Sequence, residues 1–267
     1  MYRDKYRLIY RRYRRIFEKR FGGYISEVIL YSNYLFQRKR EPSIKFVIFG
    51  YQRTGSTLLV NLLDSHPQIE CEGELLLNRM AFPKHYLKYR ARLSSNDIFG
   101  FKLLTPHFDY QKFDNPDQFM IDLNDSGYKI IKLKRNNIFR TALSLLYAIN
   151  SGRFHFQQSS VNKEVQKINV DPSDLLEKLQ WIEFTSLLTE RVSKNIPLME
   201  IVYEDDLLNP AYHQVTVDRI SDYLGIPHAV VHTKLVKYTD DISQLISNVE
   251  EINSFIRNTK YAKYLEI

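Results

Sequence analysis

The chain has 267 residues, 44% of them apolar, with a single cysteine and a formal net charge of +7. Such length and apolar content fit one folded domain with a sizeable core and exclude a disordered chain. The lone Cys71 excludes an internal disulfide framework or a multi-cysteine zinc site, and the positive excess favours anionic partners.

Much of that excess lies at the start, where "MYRDKYRLIYRRYRRIFEKR" holds nine Lys/Arg against two acids. Tyr6, Ile9, Tyr10, Tyr13, Ile16 and Phe17 recur at helical spacing, so a basic amphipathic helix is expected there. Such a helix either docks by its aromatic stripe or is drawn to an anionic membrane surface or polyanionic glycan. No nucleic-acid motif accompanies it. Residues 1–43 are read as a helical extension, with "RKREPS" (38–43) leading into a domain spanning 44–267. No apolar run reaches membrane-spanning length and no signal-peptide pattern precedes the domain, so a soluble, cytoplasmic protein is expected.

The domain opens on "IKFVIFG" (44–50), an apolar run suited to a central parallel strand. "TGSTLLVNLLDS" follows as an amphipathic helix, "FGFKLL" (99–104) as a second strand and "YKIIKLK" (128–134) as a third. "NIFRTALSLLYAIN" (137–150) has helical periodicity, and a long helix is expected from Asp171, with an Asp cap and Pro in its first turn. "PLMEIVYE" (197–204) reads as a buried strand, "AYHQVTVDRISDYLGI" as a helix ending at Gly225, and 248–265 as holding a last helix. Strands alternating with helices indicate a three-layer α/β fold around a mainly parallel sheet.

The stretch "FVIFGYQRTGSTLLVNLLDSHP" (46–67) carries the first functional signal. Strand, glycine-containing loop and helix form a phosphate-loop layout, in which amides at a helix start hold an anion. Gly50 and Gly55 have the spacing of the nucleotide-hydrolase motif, but Ser56 replaces its lysine and Arg53 sits inside the loop. Without that lysine, ATP or GTP hydrolysis is disfavoured. Arg53, with the amides of Gly55, Ser56 and Thr57 and two hydroxyls, suits a small, highly charged terminal group. The second signal is "KLKRNNIFRTALSLLYA", where Arg135 ends a strand and Ser144 lies about two turns into the next helix. A guanidinium and a hydroxyl at that sheet edge suit a phosphate monoester.

Together, "YQRTGST" and the later "KRNNIFRTALS" resemble the sulfotransferase family, which uses 3′-phosphoadenosine 5′-phosphosulfate (PAPS) and releases 3′,5′-ADP (PAP). The resemblance runs from about Phe46 to Ser144, then weakly through "EIVYEDDLLNP" into "LISNVEEINSFIRNTKYAKYL". It implies a P-loop-like fold and a reaction without a metal. It gives the 5′-phosphosulfate to Arg53, Thr54, Gly55, Ser56 and Thr57, and the 3′-phosphate to Arg135 and Ser144. "HPQIECEGELL" strengthens it: carbohydrate and tyrosyl-protein members often place a glutamate base shortly after a His-Pro dipeptide. Here His66-Pro67 precedes Glu70, Glu72 and Glu74; Glu74 fits best and Glu72 second. A carboxylate within hydrogen-bond reach of an acceptor hydroxyl takes its proton as the oxygen attacks sulfur.

The pattern also departs from the family. Arg135 and Ser144 are nine positions apart, one more than in cytosolic members, and one residue turns a helix by about 100°. Either the turn absorbs it or another group, such as Arg140, takes the contact. Gln52 replaces a common proline. Lys102 reads equally as an acceptor-site group or a solvated strand end. His107, Tyr147, His155 and Lys237 are secondary candidates, His66 is structural, and His228 and His232 belong on the surface. The implied function is sulfuryl transfer to a hydroxyl on a carbohydrate or glycolipid, with a tyrosyl-protein acceptor as a variant. Competing readings are a P-loop kinase or nucleotidase and an inactive PAP- or polyanion-binding module. Acceptor selection is assigned to loops such as 76–97 and 151–170.

Overall fold

The computed structural model describes residues 22–36, 40–152, 167–235 and 242–265. The amphipathic helix expected within 1–20, His155, Lys237 and most of the 151–170 loop lie outside the described residues.

Five parallel strands form the sheet: β1 (Ile44–Gly50), β2 (Ile69–Glu72), β3 (Ile98–Leu104), β4 (Tyr128–Lys134) and β5 (Leu198–Val202), in the order β2-β3-β1-β4-β5. β1 is flanked on both sides, which is why its run from Phe46 to Gly50 is wholly buried. Its side chains alternate between two cores. Val47 and Phe49 pack with Phe99, Phe101, Leu103 and Phe108; Phe46 and Ile48 pack with Leu59, Leu63, Val217 and Ile220.

The helices are α1 (Gly22–Phe36), α2 (Ser56–Asp64), α3 (Pro83–Arg92), α4 (Pro106–Gln111), α5 (Pro116–Asp125), α6 (Ile138–Ser151), α7 (Pro172–Ser193), α8 (His213–Leu224) and α9 (Val249–Arg257). Asp171 caps α7 by accepting from the Ser173 and Asp174 amides, and Gly225 ends α8 in the left-handed conformation. A third core joins α6 and α7 to the tail through Ile246, Ile252, Ile256 and Tyr261. Asn248 exchanges hydrogen bonds with Val170, and Asn137 donates to the Tyr264 carbonyl, so the tail braces the start of α6.

The expected α/β architecture is observed, with local differences. Ile69–Glu72 is an edge strand on β3, where a solvated turn was the alternative to a catalytic segment. Residues 76–97, expected as a loop, contain α3. The expected strand 197–204 stops at Val202 and passes into a single π-helical turn, Tyr203–Leu207. Asp206 accounts for that break: its carboxylate accepts from the Val202 amide and pairs with Arg219, while its carbonyl accepts from the Thr216 hydroxyl.

Chain order reverses beside β1, since β3 lies on one side of it and β4 on the other. In open parallel sheets ligands bind outside the strand carboxyl ends at such a switch point. The 51–57 loop and Arg135 both occupy that edge.

Candidate active site

The loop is shaped by its own buried groups. Tyr51, almost fully buried, donates its hydroxyl hydrogen to the Arg135 carbonyl at 2.6 Å and accepts from the Arg135 amide at 3.2 Å. One phenol thus ties the end of β1 to the end of β4. Thr54 is buried and donates to the Tyr51 carbonyl, so its side chain closes the turn. Gly55 precedes α2 at φ 90°. A Cβ there would lie 2.6 Å from the Tyr203 ring. Glycine is therefore required twice, for its conformation and for the close approach of the ring. Gly55→Ala is expected to cost at least about 1–2 kcal/mol from the backbone alone. Thermal unfolding would measure it.

Arg53 has a left-handed φ of 63°, unusual for a side chain of its size. Its Nε donates to Ser144 Oγ at 3.1 Å, and its carbonyl accepts from Arg135 Nη1 at 3.1 Å. The sequence candidates Arg53, Arg135 and Ser144 therefore meet in one cluster. Asn137 caps α6, accepting from the Arg140 amide, so α6 begins at Ile138, and Ser144 meets the Arg53 side chain.

Arg135 lies over the Tyr203 ring at 4.5 Å from the ring centroid. Its Nε is 3.8 Å from Glu204, whose carboxylate also accepts from the Asn136 and Asn137 amides at 3.0 Å each. The acidic turn after β5 thereby positions the turn that carries Arg135. Burial lowers the affinity of both guanidiniums for their protons. The Arg135 charge adds to this at Arg53, bringing it to about 10, and Arg140 adds to it at Arg135. Two buried like charges held side by side are stabilised by an anion between them.

The second cluster lies on the β3 side. Lys102, buried in mid-strand, donates to Thr57 Oγ1 at 3.0 Å and pairs with Glu74 at 2.9 Å. The Gly73 carbonyl accepts from the Lys102 amide, which fixes Glu74 just past the end of β2. His107 Nδ1 accepts from the Leu104 amide, so Nε2 carries the proton and donates to the other Glu74 oxygen at 3.0 Å. Burial would raise the Glu74 pKa, but the His107 hydrogen bond and the Lys102 charge outweigh it and hold it at about 2.

Glu70 and Glu72 are engaged elsewhere. Both pair with Arg90 of α3, and Glu70 also accepts from Ser94 and Ser95. Of the three acids, Glu74 alone is tied to the phosphate-loop side, through Lys102.

A carboxyl lowered from 4.5 to about 2 adds stability that is complete above 4.5 and lost as pH falls toward 2. By linkage the contribution is about 3 kcal/mol. The unfolding midpoint of the wild type should fall more steeply across that window than that of Glu74→Gln.

The remaining candidates are placed as follows. His66 is buried, its ring bridging the Gln68 amide and the Pro227 carbonyl, a structural role. His228 and His232 are exposed, and Tyr147 is buried on α6. Sequence reasoning missed Tyr203 and Glu204 as supports of Arg135; the available signal was an acid-rich turn directly after a buried strand at the binding edge.

Residues 45–125 match the family model described as "Sulfotransferase family". A curated relative, nodulation protein H of Rhizobium tropici, is 23% identical over 240 residues, covering 83% of this chain and 93% of that protein. Among solved structures, a sulfotransferase from Alicyclobacillus acidocaldarius aligns at a TM-score of 0.46 and 17% identity, covering 85% of this chain and 95% of its own. Mouse sulfotransferase SULT7A1, complexed with PAP, aligns at 0.44 and 15%, covering 89% and 92%. The family match falls on β1, the 51–57 loop, α2 and the Glu74–Lys102–His107 cluster, and over that span the chain is similar to the sulfotransferase family.

Proposed function

We propose that the protein transfers a sulfuryl group from PAPS to a hydroxyl of a carbohydrate or glycolipid acceptor, with Glu74 as general base. The observation that carries this reading is the meeting of two clusters on one loop. Arg53, Arg135 and Ser144 converge at one side, and Glu74 reaches Thr57 through Lys102 at the other. The paired guanidiniums and hydroxyls fit a doubly phosphorylated donor, and PAPS when bound supplies the sulfuryl group.

Arg53 and the amides at the start of α2 hold the 5′-phosphosulfate end and stabilise negative charge as it shifts to the leaving phosphate. Thr57 hydrogen-bonds the same end. Arg135 and Ser144 hold the 3′-phosphate, the group that separates PAPS from ATP. Glu74 accepts the acceptor's proton as its oxygen attacks in line.

A carboxylate at about 2 is a weak base, held there by the His107 hydrogen bond and then by the Lys102 charge. Lys102 shares its ammonium between Glu74 and Thr57. An anion beside Thr57 draws that charge away from Glu74, and the carboxylate becomes more basic when the donor site is filled. The acceptor class rests on the position of Glu74 after His66-Pro67, the arrangement of carbohydrate-type members.

The test is incubation of the full chain with radiolabelled PAPS and a panel of oligosaccharides, glycolipids and tyrosyl peptides. Label is expected on a glycan hydroxyl, without added metal. PAP binding with no transfer to any class would point to an inactive binding module. Preference for 5′-ADP with Mg²⁺ over PAP would return the loop to nucleotide kinases.

A further inference from the structure

α1 presents its sides in an unusual sense. Its inward side is fixed to the domain by polar and close backbone contacts and by aromatic packing of Tyr31 and Tyr34 on Tyr89 of α3. The buried Glu27 carboxylate accepts from the Ala81 and Phe82 amides at 2.7 and 2.8 Å and from the Tyr31 hydroxyl at 3.3 Å. Gly23 lies against the Arg79 carbonyl, where a Cβ would come within 2.1 Å. Leu30 is buried in the core on that side, and Tyr31 packs beside it.

The outward side is apolar as well. Tyr24, Ile25, Val28, Ile29, Leu35 and Phe36 are all exposed, from 47% at Tyr24 to 87% at Phe36. At about 100° per residue these six share one arc of roughly 140°, interrupted only by Ser32. Phe82, whose amide is held by Glu27, adds a seventh exposed apolar side chain beside the helix. Water does not reward such a face, so a partner of matching chemistry is implied.

The distribution of charge identifies that partner. Residues 1–20 hold nine Lys/Arg and two acids, an excess equal to the net +7 of the whole chain. Everything after residue 20 is neutral in sum, and "RKR" (38–40) directly follows α1. α3, which packs on α1, carries four Lys/Arg, of which Lys84 is paired with Asp122, Arg90 with Glu70 and Glu72, and Arg92 with Glu41, so the excess lies in the chain segments on either side of α1. The cationic charge of the protein is thus concentrated in sequence on both flanks of an exposed apolar helix. An aromatic and aliphatic face bordered by Lys/Arg suits the boundary between lipid headgroups and acyl chains. At 15 residues α1 is about 22 Å long, shorter than a bilayer core, and no helix among the described residues is long and apolar enough to cross one.

We infer that α1 lies on the surface of an anionic phospholipid bilayer, with Ile25, Val28, Ile29, Leu35 and Phe36 inserted at the headgroup boundary and the flanking basic residues against the lipid phosphates. This goes beyond the proposed reaction and does not depend on it.

Vesicle sedimentation of the full chain tests it, with phosphatidylcholine alone against phosphatidylcholine containing phosphatidylglycerol, at low and high salt. Binding should favour the anionic vesicles and weaken with salt. A triple Ile25→Ser, Val28→Ser, Ile29→Ser variant changes exposed positions only and should keep its far-UV spectrum and thermal midpoint. It should bind the anionic vesicles about tenfold to a hundredfold less. Arg11→Ser, Arg12→Ser, Arg14→Ser, Arg15→Ser should lose about tenfold or more and the preference for anionic lipid. Equal partitioning of the folded triple variant and wild type would overturn the inference, as would no preference of the wild type for anionic vesicles. A wild-type dimer that the triple variant converts to monomer, with no vesicle binding, would overturn it in favour of a second copy of the chain.

Discussion

Glu74→Gln should lower kcat for sulfuryl transfer by about 10²- to 10⁴-fold, the range of a lost general base. PAP affinity should stay close to that of the wild type, because Arg53, Arg135 and Ser144 are untouched. The amide preserves shape and can still accept from His107 Nε2, which donates to Glu74 at 3.0 Å in the wild type. What it loses is the charge opposite Lys102, and Lys102 is left buried with the Thr57 hydroxyl as acceptor. Some stability is therefore lost with the rate, and the PAP titration separates that loss from the chemistry. A pH series gives a sharper reading. Lys102→Met removes a charge that lowers the Glu74 pKa, so the carboxylate should protonate at higher pH than in the wild type. The acid limb of kcat/KM should move upward in Lys102→Met and disappear in Glu74→Gln. An acid limb that stays in place when Lys102 is removed would mean that another group sets it.

Arg135→Ala should raise the Kd for PAP by about 10- to 100-fold, the range for a lost charge-assisted contact to phosphate. Arg135 also donates to the Arg53 carbonyl, so some loss on the 5′ side will accompany it. The informative quantity is the ratio of PAP affinity to that for 5′-AMP, which differs from it only by lacking the 3′-phosphate. That ratio should collapse toward one in the variant, whereas a merely structural arginine would weaken both ligands alike. Arg135→Lys should recover little. A lysine offers no planar group to lie on the Tyr203 ring and no pair of donors for one phosphate. Isothermal titration with the two nucleotides measures the ratio directly.

The inner strands were legible because burial on both faces demands continuous apolar runs, as in "IKFVIFG" and "YKIIKLK". β2 was not: it is four residues long, at the sheet edge, and two of its residues are glutamates that pair with Arg90 of α3. α3 was missed for a related reason, since "PKHYLKYRAR" is mostly polar and its helical state rests on packing against α1 and β2. Within the site, the 51–57 loop is a local pattern and could be read directly. Lys102 and His107 could not be assigned, because their meeting with Glu74 depends on the register of β2 against β3. The anomaly was nevertheless present in "FGFKLL", where a lysine interrupts a buried strand; buried lysines are paired. Tyr203 and Glu204 lie some 70 residues beyond Arg135, and no spacing rule connects them.

The strand order also governs when the site can exist during synthesis. No two neighbouring strands are joined by a hairpin, so each pairing waits for a crossover to be made. The loop around Gly55 appears early in the chain, but it is walled by Ser144 and by the ring of Tyr203, nearly 150 residues later. At ribosomal speed that interval is on the order of ten seconds. Until it has passed, a nascent chain carries the glycine turn without the platform beneath Arg135. On the proposed function, nucleotide capture is a late event in biogenesis, and a ribosome-bound fragment ending before β5 should emerge unable to retain PAP.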